Sequence, residues 1–260
     1  MRVYGVDFTS APRRGKPIVV SVCEFENERL YLEGIDKLVD FEAFEAFLRR
    51  PGPWVGGFDF PFGLPRELVR DLGWPRDWRR LVGFCAALSR NEWRGILDGY
   101  RATRAVGSKY AHRATDRPAG SSSPMKLVNP PVALMFHEGA PRLLEAGVHL
   151  PGLAEGDRAR IALEAYPGFF ARKVLGRASY KSDTRSKHTA QRRHARLRVL
   201  NALQIETSPK LKSILLEDGS GDSLDATVCA VQAAWGWRRR RRNFGLPRRI
   251  ESCEGWIVSA

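Results

Sequence analysis

No apolar stretch of the chain approaches the ~20 residues a helix needs to cross a bilayer. The opening residues, MRVYGVDF, do not have the architecture of a secretion signal, because their short apolar run is broken by Asp7. Both absences predict a cytoplasmic protein. Cysteine is scarce. Cys23, Cys85, Cys229 and Cys253 are far apart and form no CxxC pair, which argues against a zinc ribbon or a dithiol motif. Each has apolar neighbours and is expected to be a small buried side chain in a reducing compartment. None of the five histidines belongs to an HExxH pattern, and none is assigned to a metal. No internal repeat is visible. Acid is also in deficit, with 29 Asp and Glu against 43 Lys and Arg and a net charge of +14.

Such a field attracts polyanions, of which nucleic acid is the commonest in a cytoplasm. The charge is concentrated in RSKHTAQRRHARLR (185–198) and WRRRRRNF (237–244). Either run alone is equally well a solvated helix face. The two together, with the global excess, favour a phosphate-facing surface and DNA or RNA as partner. At 260 residues and 43% hydrophobic composition, the chain is long and apolar enough to bury a real core.

RVYGVDF (2–8), IVVSVCEF (18–25) and RLYLEGI (29–35) have the pattern of strands, and their short connections predict an antiparallel meander. Asp40 is placed to cap a helix in which Phe41, Phe44 and Phe47 recur at helical spacing. WVGGFDF (54–60) follows as a fourth strand, reached by a helical crossover and so parallel to an earlier one. Residues 65–150 carry helical patterns, including a capping-box spacing from Ser89 to Glu92, and are taken as a helical insertion. Within them, 107–126 is polar and rich in Gly, Ser and Pro, the composition of a long structureless loop. RIALEAYP (160–167) is the fifth strand; helices are expected around 186–203 and 222–238, and EGWIVS as a short terminal strand. The series predicts one α/β domain over 1–260, a mixed sheet with helices on both faces.

Asp7 and Asp59 each close a short buried strand. If those strands are parallel neighbours, both carboxylates emerge side by side at the edge where open α/β sheets place their sites. Glu164, near the end of strand five, points toward the same edge. Asp222 and Asp225 lie three apart at a helix start, on one face. Converging carboxylates need a compensating charge, and Mg²⁺ or Mn²⁺ suits an all-oxygen site open to water and phosphate. Asp7, Asp59, Asp222 and Asp225 are the candidate metal ligands. Pro61, Gly63 and Pro65 would hold the turn after Asp59 in a fixed orientation. Alternatives stand beside each reading: Asp222 as a helix cap, Asp7 and Asp59 as acids bonding loop amides, Glu164 as the partner of an arginine.

GVDFTS, GFDFPFGLP, LEAYP, ASYKSD, GDSLDATVCA and EGWIV, in this order, resemble the domain of unknown function 429 family, whose members are regarded as predicted nucleases of the ribonuclease H-like fold. The likeness runs from Asp7 to the terminal EGWI and is thinnest over 65–150, where HRATD, with Arg113 and Asp116, carries it. It implies a five-stranded sheet of order 3-2-1-4-5 and a catalytic set of Asp7, Asp59, Glu164 and Asp225, with Tyr180 and Lys181 as a further family feature. A lysine beside a metal-bound phosphate would neutralise charge; the alternative is an ordinary surface lysine. The ribonuclease H pattern usually carries its second acid on the helix after strand three, which here offers Glu42 and Glu45. The leading function is thus a metal-dependent nuclease or phosphodiesterase. Two alternatives are a nucleic-acid-binding protein with a degenerate site and an actin-like nucleotide-handling enzyme. Against the last, TSAPRRGKP has a single glycine where such enzymes have a Gly-rich phosphate hairpin.

Overall fold

The computed structural model describes residues 1–260. Three strands open the chain, β1 (Arg2–Asp7), β2 (Ile18–Glu26) and β3 (Arg29–Leu38), paired antiparallel in succession. Helix α1 (Phe41–Leu48) follows; Asp40 caps it by accepting a 2.8 Å hydrogen bond from the Ala43 amide. The crossover returns the chain as β4 (Trp54–Asp59), parallel to β1.

The segment from α2 (Arg66–Asp71) through α3 (Trp78–Ala86), α4 (Arg90–Ala102), α5 (Asp116–Ala119) and α6 (Val132–Ala146) is helical. The Ser89–Glu92 capping box is present at the start of α4. The rest comprises β5 (Val148–His149), β6 (Asp157–Glu164), α7 (Pro167–Leu175), α8 (Ala190–Ala202), β7 (Glu206–Thr207), α9 (Pro209–Glu217) and α10 (Asp222–Arg238).

The architecture is α/β, a mixed sheet of seven strands in the order β5-β6-β4-β1-β2-β3-β7 flanked by helices. Strand count and order both differ from the expected five: β5 and β7 add at the two edges. Each is two residues long, too short for any alternation of apolar and polar residues to mark it. EGWIVS forms no strand; Ile257 makes a single parallel bridge to Glu164, and its amide donates to the Thr115 hydroxyl at 3.0 Å. Residues 107–126 are not structureless either, since they contain α5 and bury Arg113, Thr115, Ser123 and Met125. All four cysteines are free and buried. No helix is long and apolar enough to cross a membrane.

Alternation along β1 and β4 sorts their side chains onto two cores. Tyr4, Val6, Phe8, Trp54 and Phe58 face α1 and the helices of 65–150, where Trp78, Trp93 and Phe136 fill the layer. Val3 and Val55 face α10 and its neighbours, against Leu224 and Val228. Gly5 and Gly57 lie on this second face, directly paired across β1 and β4. A Cβ at Gly5 would fall on the Ala226 carbonyl and the Ala230 amide, and one at Gly57 on the Cys229 carbonyl. Helix α10 therefore rests backbone against backbone on the centre of the sheet. The Ser21 and Thr227 hydroxyls bond each other at 2.9 Å in the buried seam beside this contact.

Gly57→Ala must push α10 off the sheet and is expected to cost about 3 kcal/mol, as overpacking does. Gly95→Ala, in α4 with open space around it, should instead stabilise by about 1 kcal/mol through helix propensity. Chemical denaturation of the two variants reads both signs.

Candidate active site

Asp7 and Asp59 end adjacent parallel strands and are paired in register. Each follows its glycine by two residues, in Gly5-Val6-Asp7 and Gly57-Phe58-Asp59, and so points to the same face as that glycine. The glycines admit α10, and the acids meet its first turn. Neither carboxylate bonds any protein group, so neither serves to close a loop. Both border a cavity of about 930 Å³, with Lys16, Lys181 and Asp222 also in its wall.

Two ammonium groups stand among these acids. Lys181, from the segment between α7 and α8, pairs with Asp225, whose other oxygen accepts from the Tyr180 hydroxyl. Lys16, from the connection between β1 and β2, bonds both oxygens of Asp222 at 2.9 and 3.0 Å and Asp183 at 2.9 Å. Asp222 does not cap α10: Gly221 is the cap residue and offers no side chain. The capping is done by Asp218, which accepts from the Ser223 amide at 2.8 Å and from the Ser220 amide at 3.1 Å.

Burial pushes the Asp7 carboxyl well above the usual carboxylate range; Asp222 and Asp225 push it further, and Lys181 only partly opposes them. Burial likewise raises Asp59 to about 7 against the pull of Lys181, and raises Asp225 in spite of Lys181 and Tyr180. Burial pulls the Lys181 ammonium down, but Asp225, Tyr180 and Asp7 together hold it well above its ordinary value. Burial lowers Lys16 too, and Asp222 and Asp183 bring it up to about 12. Four aspartates thus stand against two ammonium groups, and burial disfavours the ionised form of Asp7, Asp59 and Asp225.

Asp7, Asp59, Asp222, Asp225 and Lys181 are all brought together here; Glu164 is engaged elsewhere. Its two oxygens take a bidentate grip from Arg113 at 2.6 and 2.8 Å, and one also accepts from the Phe62 amide at 2.9 Å. Arg113 further binds Asp116 at 2.9 Å and the Glu254 carbonyl at 2.9 Å. The Glu254 carboxylate takes the amides of Arg66 and Ala114 at 2.8 and 2.9 Å. This buried knot ties HRATD and EGWI to the end of β6. It realises the arginine-partner alternative for Glu164. Glu45 lies on the other face of the sheet, in α1, bound to Arg142 at 3.2 Å.

The basic runs divide. Arg196 is buried and donates to the carbonyls of Tyr180 and Leu216, each at 2.8 Å, so it positions the Tyr180–Lys181 pair. His188 bonds the Ser182 carbonyl at 2.7 Å, beside the cavity rim. The run 237–244 sits about 20 Å along α10 from Asp225. There Arg239 and Arg240 lie over Trp235 and Trp237, at 3.9 and 4.6 Å.

Comparison with protein-family models, with curated proteins and with solved structures finds no match. No three His, Cys, Asp or Glu side chains stand together as a ready metal-ligand set. The donor chemistry nevertheless suits a hard cation. Asp7 and Asp59 are neighbouring, partnerless carboxylates in a cavity wall, and Mg²⁺ is commonly held by one or two carboxylates with water and phosphate completing its shell.

Loss of Arg113 would leave Glu164 and Asp116 as unpaired buried acids. Arg113→Ala should therefore cost about 3–5 kcal/mol in denaturant titration, whereas exposed Arg177→Ala should change stability by under about 0.5 kcal/mol.

A carboxyl whose folded pKa is raised favours the folded state while protonated, and that contribution disappears as pH climbs through the folded value. For Asp59 the loss falls between its ordinary 3.8 and about 7. Asp59→Asn in EDTA should thus melt above the wild type at about pH 8, with the gap closing toward about pH 4. Parallel melting curves across that range would refute the charge balance described here.

Proposed function

We propose that the protein is a divalent-metal-dependent phosphodiesterase acting on nucleic acid, with its chemistry centred on Asp7 and Asp59. The observation that carries this reading is the in-register pair of carboxylates, Asp7 buried and Asp59 half-buried, without protein partners and raised in pKa, facing a cavity whose rim carries lysine and arginine. The net charge of +14 and the resemblance to a family of predicted ribonuclease H-like nucleases point the same way.

In this reading Asp7 and Asp59 hold Mg²⁺ or Mn²⁺ directly. When bound, such an ion activates water and stabilises the leaving oxygen of a phosphodiester. Lys181 and Lys16 pair with Asp225 and Asp222 at the helix start. Their ammonium groups also border the cavity, where they offset phosphate charge. Tyr180 fixes the Asp225 carboxylate, and Arg196 fixes Tyr180 through its carbonyl. Glu164 acts at one remove, by holding Arg113 and the turn at Phe62 that follows Asp59.

A binding-only reading draws on one observation. Lys16 and Lys181 already neutralise two of the four aspartates, as the cations of a site without turnover would.

The test is cleavage of labelled single-stranded, duplex and branched DNA and RNA with Mg²⁺ or Mn²⁺, comparing wild type with Asp7→Asn. Wild type should cleave at least one substrate, and Asp7→Asn should lose at least a hundredfold in rate while still binding nucleic acid. Binding without cleavage by either protein would favour the second reading. Mg²⁺ should also raise the melting temperature of the wild type and leave that of Asp7→Asn unmoved.

A further inference from the structure

A second cleft, of about 1520 Å³, lies between the helices of 65–117 and the chain's final segment. Seven arginines and three glutamates line it. The glutamates are all spent. Glu67 pairs with Arg104 at 2.7 Å, Glu251 with Arg66 at 3.1 Å, and Glu254 on backbone amides at 2.8 and 2.9 Å. Arg113 is consumed by the buried knot, and Arg70 holds Asp71 at 2.7 Å. Arg117, Arg248 and Arg249 remain, exposed and without an acceptor in the protein, although most arginines of this chain are paired.

Two aromatic side chains share the wall. Tyr110 is 38% exposed, with the Arg101 guanidinium 5.3 Å from its ring centre. Trp256 is half-buried, and its indole N–H donates to no protein group. Unpaired guanidinium groups match the geometry of phosphate oxygens, and open aromatic faces stack unpaired bases. A duplex hides its base faces, so this combination selects a single strand. Arg113 belongs to the walls of both cavities, so the cleft borders the one that holds Asp7 and Asp59.

We propose that this cleft binds a single-stranded segment of nucleic acid, its phosphates on Arg117, Arg248 and Arg249 and its bases against Tyr110 and Trp256. The proposal rests on the nucleic-acid reading for the class of ligand, but not on any turnover.

The experiment measures anisotropy of labelled dodecamers with the full-length protein in EDTA, so that catalysis plays no part. The probes are oligo-dT, oligo-rU and a DNA duplex, titrated at several salt concentrations. The variants are the triple Arg117→Ala, Arg248→Ala, Arg249→Ala and, separately, Tyr110→Ala. All four positions are exposed, and circular dichroism melting confirms folding. Wild type should bind at least one single strand more tightly than the duplex, and the preferred probe identifies DNA or RNA. The triple variant should raise Kd at least tenfold and flatten the salt slope by about 2, the counterion release of three phosphates. Tyr110→Ala should raise Kd about fivefold or more with the slope unchanged. Binding by wild type that the triple variant leaves unchanged, or equal affinity for the duplex, overturns this assignment alone. No binding of any probe by wild type overturns it together with the nucleic-acid reading.

Discussion

Everything in the site depends on a helix lying closer to a sheet than side chains normally permit. Helix α10 touches β1 and β4 through backbone atoms, because Gly5 and Gly57 are paired across those strands and leave no Cβ between the layers. Helices usually stand off a surface by the thickness of their side chains. Here that gap is removed at one point, and the next residue on the same face of each strand is an aspartate. The close approach therefore lowers the first turn of α10, with Asp222 and Asp225, onto Asp7 and Asp59. Four carboxylates end up in one neighbourhood through a packing device with no charge of its own.

The protein then handles its buried acids in two separate units. One is closed: Arg113 answers Glu164 and Asp116 with a full set of hydrogen bonds, and the carbonyl of Glu254 takes what remains. The other is open. Lys16 and Lys181 answer Asp222 and Asp225, but Asp7 and Asp59 have only a cavity in front of them. A closed unit suits a structural joint. An open one, with carboxyl groups held above their ordinary pKa by burial, is where a further cation or proton belongs.

Much of this was legible in the chain. An aspartate at the end of each of two apolar runs marked Asp7 and Asp59, and the helical crossover before Trp54 predicted parallel strands. The start of α10 was marked by Asp222 and Asp225 ahead of an apolar run. What stayed hidden has physical reasons. Strands of two residues, such as Val148–His149, carry no period. Lys16 sits in the turn-rich TSAPRRGKP, and only the fold brings it to an acid 206 positions away. Glu164 shares the strand-end position of the two aspartates, yet it pairs in register with Phe58 rather than Asp59, so it faces the other side of the sheet, where Arg113 meets it. The segment 107–126 has the composition of a loop, but its order comes from Arg113 and Met125, buried by contacts far away in sequence. Basic runs were the least informative, since Arg196 serves the fold and Arg239 and Arg240 cover tryptophans.

The order in which these parts occur along the chain matters during synthesis, which proceeds from the N-terminus. Asp7 and Asp59 are made early, with the strands that carry them. Their cover, α10, follows after residue 222, and the Arg113 joint is complete only with Glu254. A sheet formed before then would present a bare glycine groove beside both acids. The centre of the molecule is thus the last part to become whole. A chain released or cut before that point would hold both strand-end acids and no site.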